Sequence, residues 1–534
     1  MPELSTLDLH ADPAQRVAFP NPYNAAFDLI ERNLRAGRAD KPAFIDDAGS
    51  YSYGELATRV RQFANAITAL GVQPEQRVLL CLHDSIDWPV AFLGAILAGV
   101  VPVAVNTLLT TDDYDYMLRD SRARALIVSA PLWPKLAPLV DQLPHLQHIV
   151  MSGEIPGTDP APGLSFSTLC RQASPQFEAA STSPDEACFW LYSSGSTGSP
   201  KGTVHVHSSL IQSAELYARP VLALGPDDVV FSAATLFFAY GLGNGLTFPM
   251  AVGATAVLMA ERAVPQAVFE RLSQHQPTIF YGVPTLFAAL LASPALPARG
   301  ALRLRLCTSA GEALPADIGE RWSAHFGIDI LDGIGSTEML HIYLSNRAGS
   351  LRYGSTGLAL PGYDLRIVDE QGQPLPVGEV GELQVRGPTA AMGYWNNRAK
   401  TRDTFQGPWT RSGDKYSVDA DDYFTYAGRT DDMLKVGGIY VSPIEVESAL
   451  ITHPAVLECA VIGRADEAQL VKPQAFVVLH AGLRGSDALA SELQQHVKSK
   501  LAPYKYPRWI EFIDELPKTA TGKIQRFKLR ALAR

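Results

Sequence analysis

The chain has 534 residues, 47% hydrophobic and 19% charged, which excludes a disordered polymer and exceeds what one ordinary core holds. A large multi-part domain plus at least one more is expected. The formal net charge of −10 excludes a fixed basic footprint for nucleic acid, while leaving room for a local basic site for a polyphosphate.

The start, MPELSTLDLHADP, is acidic and broken by prolines, without the basic start and apolar run of a secretory signal. Residues 53–70 predict an amphipathic helix, with Leu56, Val60, Phe63, Ile67 and Leu70 at helical spacing and Gly71 as its stop. A short strand is expected over 77–82, a buried helix over 91–98, and strands over 100–105 and 125–129. This alternation predicts an α/β fold with mostly parallel sheets. Residues 153–163, rich in Pro and Gly, read as a surface loop. Two apolar runs, 90–105 and 235–260, fail as membrane spans. The first holds Pro102 and falls short of the ~20 residues a helical span needs; the second contains four glycines, Asn244 and Pro249. Buried strands and loops are expected at both.

After about residue 355 the texture changes to short strands, 365–368 and 381–386, split by Gly/Pro turns, which suggests a small β-rich subdomain. A second domain is expected from Asp431, dividing the chain into 1–430 and 431–534. Ser442, Pro443 and Glu445 carry an N-cap, a Pro at the first helical position and the acid of a capping box. Strands over 457–462 and 474–479 follow, then a helix from Ser486 with Leu489, Leu493, Val497 and Leu501 on one face. The tail is thus a compact α+β unit. Cys81, Cys170, Cys188, Cys307 and Cys459 form no C-x-x-C pair, so neither a zinc site nor a disulfide framework is expected. That pattern fits a reducing compartment, with the cytoplasm as the expected location and no membrane partner.

The strongest local signal is Ser193-Ser194-Gly195-Ser196-Thr197-Gly198-Ser199-Pro200-Lys201-Gly202, which follows the apolar stretch 188–192. Its glycines let the backbone turn N–H groups toward an anion, and its hydroxyls and Lys201 add donors and positive charge, as a polyphosphate needs. It is not a Walker A loop, because Pro200 precedes Lys201 and Gly202 follows it, which weakens a kinase or P-loop reading.

This segment resembles the signature of the adenylate-forming superfamily, which includes acyl-CoA synthetases, adenylation domains and luciferases. Further stretches stand in that family's order: Phe238-Ala239-Tyr240-Gly241, Ser309-Ala310-Gly311-Glu312, Gly335-Ser336-Thr337-Glu338, Gly381-Glu382-Leu383, Gly393-Tyr394-Trp395, Ser412-Gly413-Asp414, Gly428-Arg429-Thr430-Asp431-Asp432 and Pro517-Lys518-Thr519-Ala520-Thr521-Gly522-Lys523. The resemblance covers roughly residues 25 to 530. It implies ATP, Mg²⁺ and coenzyme A as cofactors and an acyl-adenylate intermediate. A carboxylate is a poor acceptor for a thiolate, because its leaving group would be oxide. Attack on the α-phosphate of ATP gives a mixed anhydride whose leaving group is AMP.

The resemblance assigns ATP or AMP contacts to Ser193, Ser194, Gly195, Ser196, Thr197, Gly198, Lys201, Gly311, Glu312, Asp332, Gly333, Thr337, Asp414 and Arg429. Glu338 is the implied Mg²⁺ ligand, in keeping with the few protein carboxylates that Mg²⁺ takes beside substrate phosphates. Asp414 would accept the ribose hydroxyls, Lys523 would reach the substrate carboxylate and α-phosphate, and Asp431 would be the hinge of a rotating small domain. Lys435, Gly437 and Gly438 would then meet the pantetheine arm.

The acyl pocket is expected from Phe238, Ala239, Tyr240, Gly335, His341 and Ile342. Relatives that adenylate amino acids usually carry Asp where Ala239 stands, so an amino-acid substrate is disfavoured. A small, flat, uncharged ring suits such a lining. Residues 237–244 and 335–342 resemble benzoate–CoA ligases, which implies benzoate or a light derivative such as 2-aminobenzoate or a fluorobenzoate. His341 either orients the carboxylate or packs. The alternatives are an aryl-acid enzyme loading a carrier-protein thiol, or a CoA ligase for a cinnamate or fatty acid. Homodimers are common among relatives, and a homodimer is an expectation by analogy.

Overall fold

The computed structural model describes residues 2–8, 11–154, 163–195, 198–429, 432–436, 439–466, 470–502, 505–518 and 524–532. Two large, mainly parallel sheets carry most of the chain. Among the described residues, the first has eight strands, in the order Gly393–Tyr394, Gly198–Val206, Ala187–Gly195, Val101–Ala104, Arg77–Cys81, Ala125–Ser129, His148–Ser152 and Leu164–Ser165. The second has nine, with Ile330–Gly335, Leu306–Ser309, Ile279–Gly282 and Val229–Ser232 side by side and parallel at its centre. The expected α/β class and parallel sheets are therefore present.

Local signals account for much of this. The helix Tyr53–Ala69 starts at a closed capping box between Ser52 and Glu55, and Leu56, Val60, Phe63 and Ile67 are fully buried. Burying side chains of that size is worth ~1.5–3 kcal/mol each. It packs on the helix Asp87–Leu97, which starts four residues before the expected 91. Pro89 sits in its first turn, where the missing N–H has no intrahelical partner to lose.

The apolar run 235–260 folds as the helix Ala239–Leu242, a π-helical turn Gly243–Thr247, the helix Phe248–Val252 and the strand Thr255–Val257. Among the described residues no helix is long and apolar enough to cross a membrane. A second π turn, Ala214–Ala218, continues the helix His207–Ser213. The five cysteines are buried and form no disulfide.

A smaller antiparallel sheet follows, pairing Asp364–Val368, Gly381–Arg386, Trp409–Val418 and Phe424–Arg429 in turn, as the Gly/Pro-punctuated strands predict. From Leu434 the chain forms a separate unit. Val456–Ala465, Val471–Leu479 and Trp509–Phe512 make a sheet. The helices Pro443–Ile451 and Asp487–Lys500 close its core through Val446, Leu450, Leu493 and Val497. Ser486 and Ser442 are the N-caps foreseen. The capping box at Ser442 is not closed, because Lys505 Nζ holds the Glu445 carboxylate at 2.6 and 2.7 Å. The expected loop over 153–163 and the boundary at Asp431 fall largely or wholly outside the described residues.

Candidate active site

The Ser/Gly/Lys motif is a β-hairpin. Ala187–Gly195 and Gly198–Val206 run antiparallel, with Ser193 opposite Lys201 and Gly195 opposite Gly198. Lys201 points at the short strand Gly393–Tyr394, which pairs with the same hairpin through Thr203 and Tyr394. Its ammonium lies 4.6 Å from the centre of the Tyr394 ring and 3.5 Å from its hydroxyl. Burial lowers the Lys201 pKa, and the nearby Glu338 charge partly restores it.

Glu338 stands across from this hairpin on a second one. The strand Ile330–Gly335 turns through a one-turn 3₁₀ helix, Thr337–Met339, and returns as Ile342–Ser345. Three successive carbonyls of that turn are held from outside. His205 Nε2 donates to the Thr337 carbonyl at 2.7 Å, the Ala391 N–H to Glu338 at 2.8 Å, and the Thr389 hydroxyl to Met339 at 2.7 Å. Burial pushes the His205 pKa down to about 4, so its ring is neutral and Nε2 carries the donated proton. The Glu338 carboxylate accepts on Oε1 from Tyr394 OH at 2.7 Å and from Ser193 Oγ at 3.4 Å. Ser193 thus meets Glu338 directly, and Tyr394 stands between Lys201 and Glu338.

His341 leaves the same turn toward the other side. Its Nε2 donates to the Tyr240 carbonyl at 3.2 Å, and its ring meets Phe248 at 4.5 Å, Tyr240 at 5.5 Å and Tyr217 at 5.6 Å. Tyr217 comes from one π turn, and Gly243, at the start of the other, lies against the imidazole. A Cβ on Gly243 would sit 2.4 Å from His341 Cδ2, so glycine is needed for this approach. Burial pushes the His341 pKa down to about 3. Its Nδ1 is buried and has no hydrogen-bond partner among the described residues.

Phe238 packs on Phe237 at 4.3 Å, and the Tyr240 and Thr308 hydroxyls share a 2.6 Å hydrogen bond. Gly335 and Ile342 oppose each other beside a register shift in the hairpin. Of the residues expected at the acyl pocket, Tyr240 and His341 meet directly, and Gly335 and Ile342 flank His341 on its hairpin. Tyr217 and Phe248 were not foreseen. Neither sits in a motif, and only the π turns bring Tyr217 to bear.

Of the residues expected at the nucleotide, Asp414 and Arg429 are cross-strand partners, with Arg429 Nη1 3.0 Å from Asp414 Oδ1. The Asp414 charge raises the Arg429 pKa. Gly413 has φ +74°, and a Cβ there would come within 2.9 Å of the guanidinium. Asp332 and Gly333 lie within the strand Ile330–Gly335, Asp332 paired with Ser309 and Gly333 with Ser345. Burial drives the Asp332 pKa well up. Glu312, after Gly311, accepts the Ile524 N–H on Oε1 at 3.0 Å, which ties this loop to the residue after Lys523. Ser196, Thr197, Asp431, Gly437, Gly438 and Lys523 lie outside the described residues, as do the side chains of Ser194 and Lys435.

The hairpin pair with its motif set defines an adenylate-forming enzyme. Residues 30–395 match the AMP-binding enzyme family and 445–523 the AMP-binding enzyme C-terminal domain, and the chain belongs to that family. It is 63% identical to the benzoate–CoA ligase of Thauera aromatica over 530 residues, 99% of each chain. It also resembles the crystal structure of a benzoate CoA ligase from Burkholderia xenovorans LB400, with TM-score 0.89 and 56% identity over 95% of this chain and 100% of that one. An anthranilate CoA ligase solved in complex with anthranoyl-AMP superposes with TM-score 0.93 at 46% identity, over 97% of this chain and 98% of that one.

Proposed function

We propose that this chain is an AMP-forming ligase that activates benzoate, or a close analogue, and transfers the acyl group to coenzyme A. The observation that carries the reading is 63% identity to a benzoate–CoA ligase across 99% of both chains. The joined phosphate and acyl hairpins give it a physical basis.

In the first step a benzoate oxygen attacks the α-phosphorus of ATP, the bond to pyrophosphate breaks, and benzoyl-AMP forms. Lys201 and the hairpin hydroxyls neutralise the phosphates, and Thr337 at the start of the pinned turn offers its hydroxyl to them. Asp414, steadied by Arg429, holds the ribose. Lys523 bridges the substrate carboxylate and α-phosphate. In the second step the thiolate of coenzyme A attacks the acyl carbon and the bond to AMP breaks. Asp431 is the hinge between the two steps, and Lys435, Gly437 and Gly438 face the pantetheine arm.

Glu338 fits a Mg²⁺ ion by its donor chemistry, a hard carboxylate oxygen beside the Ser193 hydroxyl. When bound there, Mg²⁺ supplies charge neutralisation for the phosphates. The acyl side offers a neutral imidazole, aromatic edges and no charged group among the named lining residues, which suits an uncharged ring. The reading takes small aromatic acid, ATP and coenzyme A as partners, the cytoplasm as compartment and two copies as the assembly, the last by analogy alone.

The test is AMP release with ATP, Mg²⁺ and coenzyme A over a panel of acids: benzoate, 2-aminobenzoate, 4-hydroxycinnamate, acetate, octanoate and phenylalanine. Benzoate is expected to lead, with benzoyl-CoA as product. A cinnamate or aliphatic acid in the lead overturns the acyl assignment. AMP without a CoA thioester would move the acceptor to a protein thiol.

A further inference from the structure

Tyr394 touches both charged groups of the proposed phosphate site, Lys201 and Glu338. It is 7% exposed and held in place by backbone pairing to Thr203, by its N–H to Thr401 Oγ1 at 3.0 Å, and by the Phe405 ring at 5.5 Å. Its hydroxyl donates to Glu338 Oε1 at 2.7 Å, the shorter of the two bonds to that oxygen. Lys201 lies over its ring. An ammonium against the ring and near the oxygen makes the phenol a better donor.

We propose that Tyr394 is a positioning residue for divalent-cation use at this site: its hydroxyl occupies Oε1 of Glu338, so that the carboxylate meets the cation through Oε2. The proposal rests on the reading of Glu338 as the Mg²⁺ ligand. A carboxylate on a two-bond stem rotates freely unless one oxygen is tethered. Mg²⁺ demands near-octahedral geometry and usually takes one oxygen from each carboxylate. A hydrogen bond to the other oxygen selects that mode and orients the lone pairs. Among the described residues no donor to Oε2 is seen, whereas Oε1 takes two. Hydrogen-bonded partners of metal-ligating carboxylates typically govern 10–100-fold in metal affinity.

The experiment titrates ATP by calorimetry into full-length wild type, Tyr394→Phe and Glu338→Gln, with saturating Mg²⁺ and again in EDTA, without acid or coenzyme A. Phenylalanine keeps the ring beneath Lys201 and removes only the hydroxyl. Mg²⁺ is expected to tighten ATP binding to wild type. Tyr394→Phe should lose roughly tenfold of that tightening, with its affinity in EDTA unchanged. Wild-type tightening in Tyr394→Phe overturns the proposal. So does an equal loss with and without Mg²⁺, since a folding or nucleotide-contact defect acts on both titrations alike. Full tightening in Glu338→Gln, or none in wild type, would instead remove the Glu338 reading beneath it.

Discussion

The two sides of the Thr337–Met339 turn are built on opposite plans. On the side proposed for the phosphates, three consecutive carbonyls have external donors, and the Glu338 carboxylate has two. On the side proposed for the acid, His341 makes one hydrogen bond, its Nδ1 has no partner among the described residues, and its neighbours are rings. Donors fixed in advance stabilise charge without reorganising at the moment of reaction. A ring is chosen by shape and dry surface, where few polar atoms suffice. On the proposed function, the common chemistry is held by hydrogen bonds and the choice of acid by packing.

If that division holds, variants on the first side should read out on ATP, and those on the second on the acid. The largest effect expected is at Lys523. Lys523→Ala should lower benzoyl-AMP formation by about 10²–10³-fold, the scale of losing one transition-state donor. Thioester formation from supplied benzoyl-AMP should be spared, and equal loss of both half-reactions would contradict the assignment. Asp414→Asn comes next. It weakens the Arg429 pair and the ribose contact, and should raise the KM for ATP roughly tenfold, about one charge-assisted bond of 1.4 kcal/mol. Benzoate KM should move little. Ala239→Leu reverses the pattern, raising the benzoate KM severalfold through overpacking that costs ~1–3 kcal/mol while ATP is unaffected. An unchanged benzoate response would place the ring elsewhere.

The smallest effect concerns pH. The folded-state pKa of His341, about 3, lies below the ordinary 6.5. Its stabilising contribution is therefore fully present above pH 6.5 and lost as pH falls toward 3. Wild-type and His341→Gln proteins should differ in acid-melting slope only in that window. The kcat/KM profile for benzoate should show no His341 inflection between pH 5 and 9. An inflection near 6.5 that vanishes in His341→Gln would mean the imidazole is charged and the acyl side is not apolar.

Much of this arrangement was legible beforehand, for identifiable reasons. The capped helix Tyr53–Ala69, the buried strands and the helix from Ser486 follow from periodicity and caps, which act within a few residues. The motif residues Ser193, Lys201, Thr337 and Glu338 were found by resemblance, and they meet. What was not legible depends on contacts distant in sequence. Glu445 turned from its own helix start to Lys505, 60 residues away. Nothing in the local sequence marks His205, yet it pins Thr337, 132 residues on. Tyr394 lies inside a family motif, but only the pairing of two distant strands shows what its hydroxyl reaches.

The two π turns carry a consequence for how pockets of this kind diverge. Each π turn accommodates one residue more than the α-helical turn it replaces, so Ala214–Ala218 and Gly243–Thr247 act as spacers. Deleting a single residue from either would let an ordinary α-helix form and leave what lies beyond it nearly in place, so the change would fall on the turn itself. Tyr217, inside the first turn, would shift against His341, and Gly243, at the start of the second, would lose its close approach to the imidazole, with no change in the identity of either. Single-residue gaps in these two helices are therefore a route to new acid preferences that a comparison of lining side chains alone would overlook.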